Sequence, residues 1–175
     1  MNAAFVSDAA MTAVIFGFFG FVWFGWAQED PPQRWRLPLG AGSVLSVLTA
    51  AAGGFFAWRA WNDGTVFNAE TGPAFGVIVG IEFGVAALGS ALLIRRKRAD
   101  LIAPWIAFVV GAHFFPLAPL LRYPLLTVVA ALVCLWALAA VPLARRAQLH
   151  PSAVAGAGTG TLLLLAALYS VLTVL

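Results

Sequence analysis

Residues 73–94 of this chain read PAFGVIVGIEFGVAALGSALLI, a stretch with a single ionisable side chain, Glu82. About 20 predominantly apolar residues in a helix are enough to cross the hydrocarbon core of a bilayer. Five further stretches qualify, and the six predicted spans cover about residues 3–27, 37–61, 73–94, 101–121, 124–144 and 153–175. The sequence therefore predicts an all-α, polytopic bundle of six transmembrane helices, which forms a single transmembrane domain over residues 1–175.

The composition of the whole chain favours the same class. Of the 175 residues, 62% are hydrophobic and 10% are charged, whereas soluble domains carry about 25% charged residues. This excludes a soluble globular protein, a disordered chain and a nucleic-acid-binding domain. The spans lack the period-two alternation of barrel strands, so they are predicted to be helical.

Basic residues are distributed very unevenly among the linkers. Eight of the ten lie in the first, third and fifth linkers, namely Arg34, Arg36, Arg95, Arg96, Lys97, Arg98, Arg145 and Arg146. Because cytoplasmic loops are rich in Lys and Arg, these linkers are predicted to be cytoplasmic and both termini extracytoplasmic. Tryptophans are expected at the two interfaces, Trp23, Trp26, Trp35 and Trp105 inside and Trp58 and Trp61 outside. The predicted location is the bacterial cytoplasmic membrane.

Metal and catalytic signatures are missing from the sequence. Cys134 is the single cysteine, and the two histidines, His113 and His150, fall at different depths. No convergent set of three or four ligands is predicted, so neither a zinc site nor a bis-histidine haem is expected. No phosphate-binding loop or serine elbow is present either. We therefore expect no metal, no cofactor and no catalytic residues.

Glu82 and His113 are the two ionisable residues deep inside predicted spans. Such residues usually face the bundle interior and mark functional sites. Each lies 12 residues from the hairpin end of its span, which is roughly 18 Å along a helix. This equal depth predicts that adjacent antiparallel helices bring the carboxyl group and the imidazole within hydrogen-bonding range. The two groups would then share one proton near neutral pH, or simply lock two helices together.

Two prolines interrupt the fourth span beside His113. Pro116 cannot donate a hydrogen bond to the carbonyl of Ala112, and Pro119 cannot donate to that of Phe115. The freed carbonyl groups need water or another partner. This pattern predicts either a polar cavity at His113 or a packing kink.

Four further polar residues are predicted in the outer half of the membrane. They are Asp8, Arg59, Arg122 and Tyr169. Their depth suggests that they line a pocket open to the outside together with Glu82 and His113, in which Asp8 pairs with one of the arginines. Arginines that snorkel to the interface are the alternative explanation.

The third span also carries glycines at a spacing of four, Gly76, Gly80 and Gly84. Small residues in this pattern allow two helices to approach closely. The stripe is predicted to pack inside the bundle, and homo-oligomerisation through it is the alternative.

The run Gly111-Ala112-His113-Phe114-Phe115-Pro116-Leu117-Ala118 in the fourth span resembles the signature of a family of small bacterial multi-span membrane proteins. The chain length and the number of spans are also similar to that family. The resemblance implies a six-helix bundle and a special role for His113 and Pro116. It implies no activity, because the family has no assigned function.

Three functions remain open from the sequence. The first is a small transporter or ligand-binding membrane protein with a proton-titratable Glu82–His113 site, whose partners would be membrane lipids and a small molecule or proton. The second is a structural or accessory membrane subunit without a small-molecule site. The third, a membrane-embedded enzyme acting on lipids, is the weakest because no nucleophile–base pair is present.

Overall fold

The computed structural model describes residues 2–175 and contains six long helices. They are α1 (Val6–Ala27), α2 (Gln33–Arg59), α3 (Thr71–Arg95), α4 (Ile102–Leu120), α5 (Leu125–Ala147) and α6 (Pro151–Leu172). A 3-10 turn over Ala99–Leu101 precedes α4, and residues 2–175 contain no β-strand. All six helices are long and apolar enough to cross a membrane, which confirms the all-α class and the number of candidate spans.

The start of α2 differs most from the predicted spans. The helix begins at Gln33, directly after Pro32, and not at Leu37, so Pro38 lies within its second turn. A proline this close to the start of a helix costs only one intrahelical hydrogen bond. The other helix limits agree with the predicted spans to within three residues.

Helix α1 packs closely between α2 and α6, and glycines make this approach possible. A Cβ atom on Gly17 would lie 2.8 Å from the backbone of Ser46 and Ala50 in α2. One on Gly156 of α6 would lie 2.8 Å from the backbone of Trp23 and Ala27 in α1. Because a side chain at either glycine would displace a neighbouring backbone, these positions bring the three helices together.

Helices α4 and α5 pack against each other and against α6, and with α1 they enclose the main apolar core. In the turn between α4 and α5, Arg122 adopts a left-handed conformation with φ of 49°. The amide of the next residue, Tyr123, then donates to the carbonyl of Ala118 at 3.0 Å, which closes the end of α4. The Tyr123 side chain is buried, and its hydroxyl lies 2.9 Å from that of Ser170 in α6.

Helix α3 lies at the periphery of the bundle. It contains no buried residue, and α4 is the one long helix against which it packs extensively. Two contacts near the end of α3 hold it there: the Trp105 indole donates to the carbonyl of Ala86 at 3.3 Å, and the same ring packs against Gly89. A further contact between the two helices, closer to the middle of α3, is that of Glu82 with His113 of α4.

Candidate functional site

The carboxyl group of Glu82 on α3 meets the imidazole of His113 on α4. Oε2 of Glu82 lies 3.4 Å from Nε2 of His113, and the side chains are 14% and 12% exposed. The approach expected from their equal depth is therefore present. At 3.4 Å the contact is longer than a typical hydrogen bond between nitrogen and oxygen, so a small movement of α3 would open or close it.

The backbone of α4 determines which nitrogen of His113 carries a proton. Nδ1 lies 2.6 Å from the carbonyl oxygen of Val110. A carbonyl only accepts hydrogen bonds, so Nδ1 is the donor and Nε2 of the neutral imidazole is an acceptor. Attraction between Nε2 and Glu82 then requires one proton between them. That proton resides either on the carboxyl group or on Nε2, and in both cases the pair has no net charge.

This Glu82–His113 pair lies in the wall of a cavity of about 540 Å³ between α1, α3 and α4. The wall is otherwise almost entirely apolar, with several aromatic rings from three helices; Phe16, Phe19, Trp23, Phe75, Phe83 and Phe114 are among them. Large exposed side chains on α1 and α3, such as Phe19 and Phe83, border the cavity where it reaches the bundle surface. The cavity is therefore a groove whose mouth lies between α1 and α3. We call it the α1–α3 groove.

The α1–α3 groove runs along most of the bundle. It is lined from Thr12 to Trp26 on α1 and from Phe75 to Ser90 on α3, which is roughly 20 Å at 1.5 Å per residue. The centre of the first range is Phe19, and the centre of the second falls on Glu82 and Phe83. The polar pair is thus at the middle of the groove, with aromatic rings at the same level.

None of the other five predicted site residues lines this groove. Asp8 is tied to the α2–α3 connection, where its carboxylate accepts hydrogen bonds from the Thr65 hydroxyl at 2.6 Å and the Val66 amide at 2.9 Å. The expected ion pair between Asp8 and an arginine is not found in the described part of the chain. Arg59 is exposed, 5.8 Å above the ring of Phe55, and Arg122 is exposed at the end of α4.

Tyr169 and Pro116 also lie away from the groove. Tyr169 is half-buried on α6 and packs against the main core. Pro116 is exposed, and α4 remains helical through it to Leu120. The carbonyl that bonds His113 is that of Val110 and not one of the two that the prolines leave without a helical donor. The predicted outer pocket is therefore replaced by a groove whose ionisable groups, Glu82 and His113, come from α3 and α4.

The glycine stripe of α3 has no close neighbour among residues 2–175. A Cβ atom on Gly76, Gly80 or Gly84 would meet no atom within 4 Å. The predicted packing of this stripe inside the bundle is therefore not found. The reason is that α3 turns its other face, with Glu82 and Gly89, towards α4.

Sequence reasoning missed the α1 wall of the groove. Phe16, Phe19, Trp23 and Trp26 recur at spacings of three and four along one face of α1, which is the helical period that could have revealed it. This pattern was missed because the tryptophans were expected to form an interfacial belt. Ser90 was also missed; its hydroxyl lies at the far end of the groove and has no hydrogen-bond partner among residues 2–175.

Within residues 2–175 no group of three or more His, Cys, Asp or Glu side chains is placed to hold a metal ion. What the α1–α3 groove offers is a long apolar space with one hydrogen-bonding pair at its middle. No protein-family model, curated protein or solved structure matches this chain.

Proposed function

We propose that this is a multi-pass protein of the bacterial cytoplasmic membrane that binds a lipophilic small molecule in the α1–α3 groove, with the Glu82–His113 pair as its polar anchor. The observation that carries the proposal is the position of this pair in the wall of an otherwise apolar cavity of about 540 Å³. Ligand sites are typically cavities of about 300–1,000 Å³ with a few well-placed polar groups. The groove fits that description.

The proposed orientation places the end with most basic residues in the cytoplasm. Arg34, Arg36, Arg95–Arg98, Arg145 and Arg146 all lie in or next to the α1–α2, α3–α4 and α5–α6 connections. Consecutive spans alternate in direction, so these three connections share one side of the membrane. The positive-inside tendency supports a cytoplasmic position for that side.

Binding is proposed to depend on the shared proton. The Glu82–His113 pair is neutral with one proton at the contact, and adding or removing a proton leaves a net charge in an apolar groove. Such a charge is costly inside a membrane and attracts water or a counter-charge. A ligand that hydrogen-bonds the neutral pair therefore competes with protonation and deprotonation, and its affinity should depend on pH.

The test is calorimetric titration of the protein in phosphatidylcholine nanodiscs with three uncharged lipophilic probes: 1-dodecanol, farnesol and decylubiquinone. We expect saturable binding of at least one probe with an affinity that changes between pH 5 and 8. Glu82→Gln should abolish the pH dependence while the protein remains helical. Glu70→Gln, which removes an exposed carboxylate at the start of the same helix, is the matched control.

Two results would contradict the proposal. If none of the three probes binds saturably, the proposal that the protein binds a lipophilic ligand is wrong. A Glu82→Gln variant with the same pH dependence as the wild type would show that the shared proton takes no part in binding.

A second candidate is an accessory membrane subunit in which the Glu82–His113 pair is a structural lock. It is favoured by the position of α3, which buries no residue and packs extensively on α4 alone. A polar contact between two membrane helices is worth about 0.6–2 kcal/mol, enough to matter for a helix held so lightly. This function is favoured if no probe binds and a Glu82→Leu variant loses a partner protein that co-purifies with the wild type.

A further inference from the structure

The depth of the Glu82–His113 pair restricts the head group of a ligand. Along α3 the pair lies seven residues from Phe75 and eight from Ser90, the two ends of the groove lining. In a membrane-spanning helix this position is close to the midplane, roughly 15 Å from either edge of the hydrocarbon core. A phosphate or another permanently charged head group is strongly disfavoured there. The group that reaches the pair is therefore small and uncharged.

The hydrogen-bonding chemistry of the Glu82–His113 pair requires an oxygen atom on the head group of the ligand. Within residues 2–175, Glu82 makes no polar contact other than that with His113, so its second carboxyl oxygen is available. A protonated carboxyl group donates to a carbonyl oxygen, and a carboxylate accepts from a hydroxyl group. While the single proton lies between Oε2 and Nε2, the second carboxyl oxygen accepts from a ligand hydroxyl group; it donates to a ligand carbonyl when the proton moves to that oxygen and the contact of 3.4 Å with Nε2 is released.

Aromatic rings at the level of the pair favour a flat ligand. The groove is lined from Thr12 to Trp26 on α1, and the centre of that range is Phe19. Phe83 follows Glu82 on α3, and Phe114 follows His113 on α4. The ring of Phe114 lies 4.2 Å from that of His113 and 5.2 Å from that of Phe16 on α1, one helical turn from Phe19, so aromatic rings on three walls lie near the polar pair. Aromatic side chains stabilise a flat conjugated ring by stacked and edge-to-face contacts, beyond the apolar area that is buried.

The mouth of the groove accommodates an apolar tail. The α1–α3 groove opens at the bundle surface along α1 and α3, where Ile15, Phe19 and Phe83 are all more than 40% exposed. A tail that leaves through this opening enters the surrounding lipid without crossing a polar surface. The ligand can therefore be much longer than the space of about 540 Å³ would hold.

We infer, on the basis of the proposed function, that the ligand belongs to the quinone class: a flat ring with carbonyl or hydroxyl oxygens and an apolar tail. The ring lies at the level of Phe19, Phe83 and Phe114. One ring oxygen is hydrogen-bonded by the Glu82–His113 pair, and the tail leaves between α1 and α3. The inference concerns binding and requires no electron transfer by the protein.

The experiment uses decylubiquinone as the ring-bearing probe and 1-dodecanol as the ringless one, with the full chain in phosphatidylcholine nanodiscs. Quinones quench tryptophan fluorescence, and Trp23 and Trp26 line the groove. We expect saturable quenching by decylubiquinone that is lost in the Trp23→Phe/Trp26→Phe variant, and no displacement by an equal concentration of 1-dodecanol.

Three substitutions locate the ring and its oxygen. Phe83→Ala, at the exposed edge of the groove, should weaken decylubiquinone binding about three- to tenfold, the effect of one lost aromatic contact. Glu82→Leu should weaken it by up to about tenfold through loss of a hydrogen bond. Leu135→Ala is the control, because Leu135 lines a separate apolar groove between α5 and α6 and should leave binding unchanged.

Other outcomes separate this inference from the proposed function. If 1-dodecanol binds saturably and displaces decylubiquinone, or if Phe83→Ala binds the quinone like the wild type, the quinone class is wrong while a lipophilic site remains. If neither probe binds saturably, the inference fails; the proposed function fails with it only if farnesol does not bind saturably either. Saturable quenching that persists in the Trp23→Phe/Trp26→Phe variant places the quinone elsewhere and also overturns the inference.

Discussion

Nδ1 of His113 lies 2.6 Å from the carbonyl oxygen of Val110, three residues earlier on α4. This bond holds the ring in one tautomer and leaves Nε2 as the acceptor that faces Glu82. A backbone carbonyl cannot be removed by substitution of a side chain. In the neutral imidazole Nε2 is therefore always the acceptor, and this determines which replacements of Glu82 the fold tolerates.

Glu82→Gln should be tolerated better than Glu82→Leu. A glutamine amide can donate to Nε2 just as a protonated carboxyl group does, so we expect a loss of less than about 1 kcal/mol in the free energy of unfolding. Leucine leaves Nε2 without a donor, at a cost of about 1–3 kcal/mol. Unfolding in mixed micelles with increasing SDS measures both values. Equal losses for the two variants would contradict this prediction, because they would show that a donor to Nε2 at position 82 does not stabilise the fold.

Gly17 and Gly80 have different surroundings and should respond oppositely to substitution by alanine. In Gly17→Ala the new methyl group would lie 2.8 Å from the α2 backbone, and such overpacking costs about 1–3 kcal/mol. In Gly80→Ala it meets no atom within 4 Å, and the higher helix propensity of alanine adds up to about 1 kcal/mol.

Thermal unfolding of the two variants at several protein concentrations checks this difference. A concentration-dependent loss of stability in Gly80→Ala would contradict the prediction and would identify the glycine stripe as an interface between copies of the chain.

Asp8 should hold the α2–α3 connection against α1. Its carboxylate accepts from the Thr65 hydroxyl and the Val66 amide, and the Ser7 hydroxyl donates to the carbonyl of Gly64 nearby. Asp8→Ala removes both carboxylate bonds, so we expect hydrogen exchange of the Val66 amide to accelerate at least about fivefold. Asp63→Ala, in the same connection but exposed, is the control; an equal acceleration there would show that Asp8 has no special role.

Tyr123 should make the fold sensitive to high pH. Burial raises the pKa of its phenol above the usual value of 10.0. The folded protein then keeps this proton while the unfolded chain loses it, so the stability from the neutral phenol is complete below about pH 10 and declines above it. Measurement of the free energy of unfolding at pH 8 and above tests whether stability declines in this way.

Two variants distinguish the phenol from other groups that titrate at high pH. Tyr123→Phe cannot ionise, so its stability should decline less above about pH 10, although it loses about 1 kcal/mol at neutral pH with the hydrogen bond to Ser170. Ser170→Ala keeps the phenol and should retain the decline. An unchanged decline in Tyr123→Phe would contradict the prediction.

The fold was readable from the sequence because each span is long enough to be recognised without its neighbours. Hydropathy alone located six helices to within a few residues, and the exception was α2, where Pro38 looked like a boundary but lies inside the helix. The sequence did not predict which helices pack against one another. Close packing of α1 on α2 and α6 depends on isolated glycines such as Gly17 and Gly156, whereas the regular stripe at Gly76, Gly80 and Gly84 faces open space.

The candidate site was readable in its polar part only. Glu82 and His113 could be related through depth, because both were counted from one short hairpin. The rotation of each helix about its axis is not encoded in depth, so Asp8 was assigned to a pocket although it bonds the connection at Thr65 and Val66. The aromatic wall on α1 was missed for another reason, namely that Trp23 and Trp26 were assigned to an interfacial belt.

The packing of α1 against α6 also bears on how the chain is made. Gly156 of α6 covers the backbone of Trp23 and Ala27, about 130 residues earlier. Segments of a protein emerge from the ribosome in order, so α1 is made first and lacks this packing partner until α6 has been synthesised. A chain arrested before α6 therefore leaves the α1 backbone at Trp23 and Ala27 without the neighbour that covers it in the complete bundle.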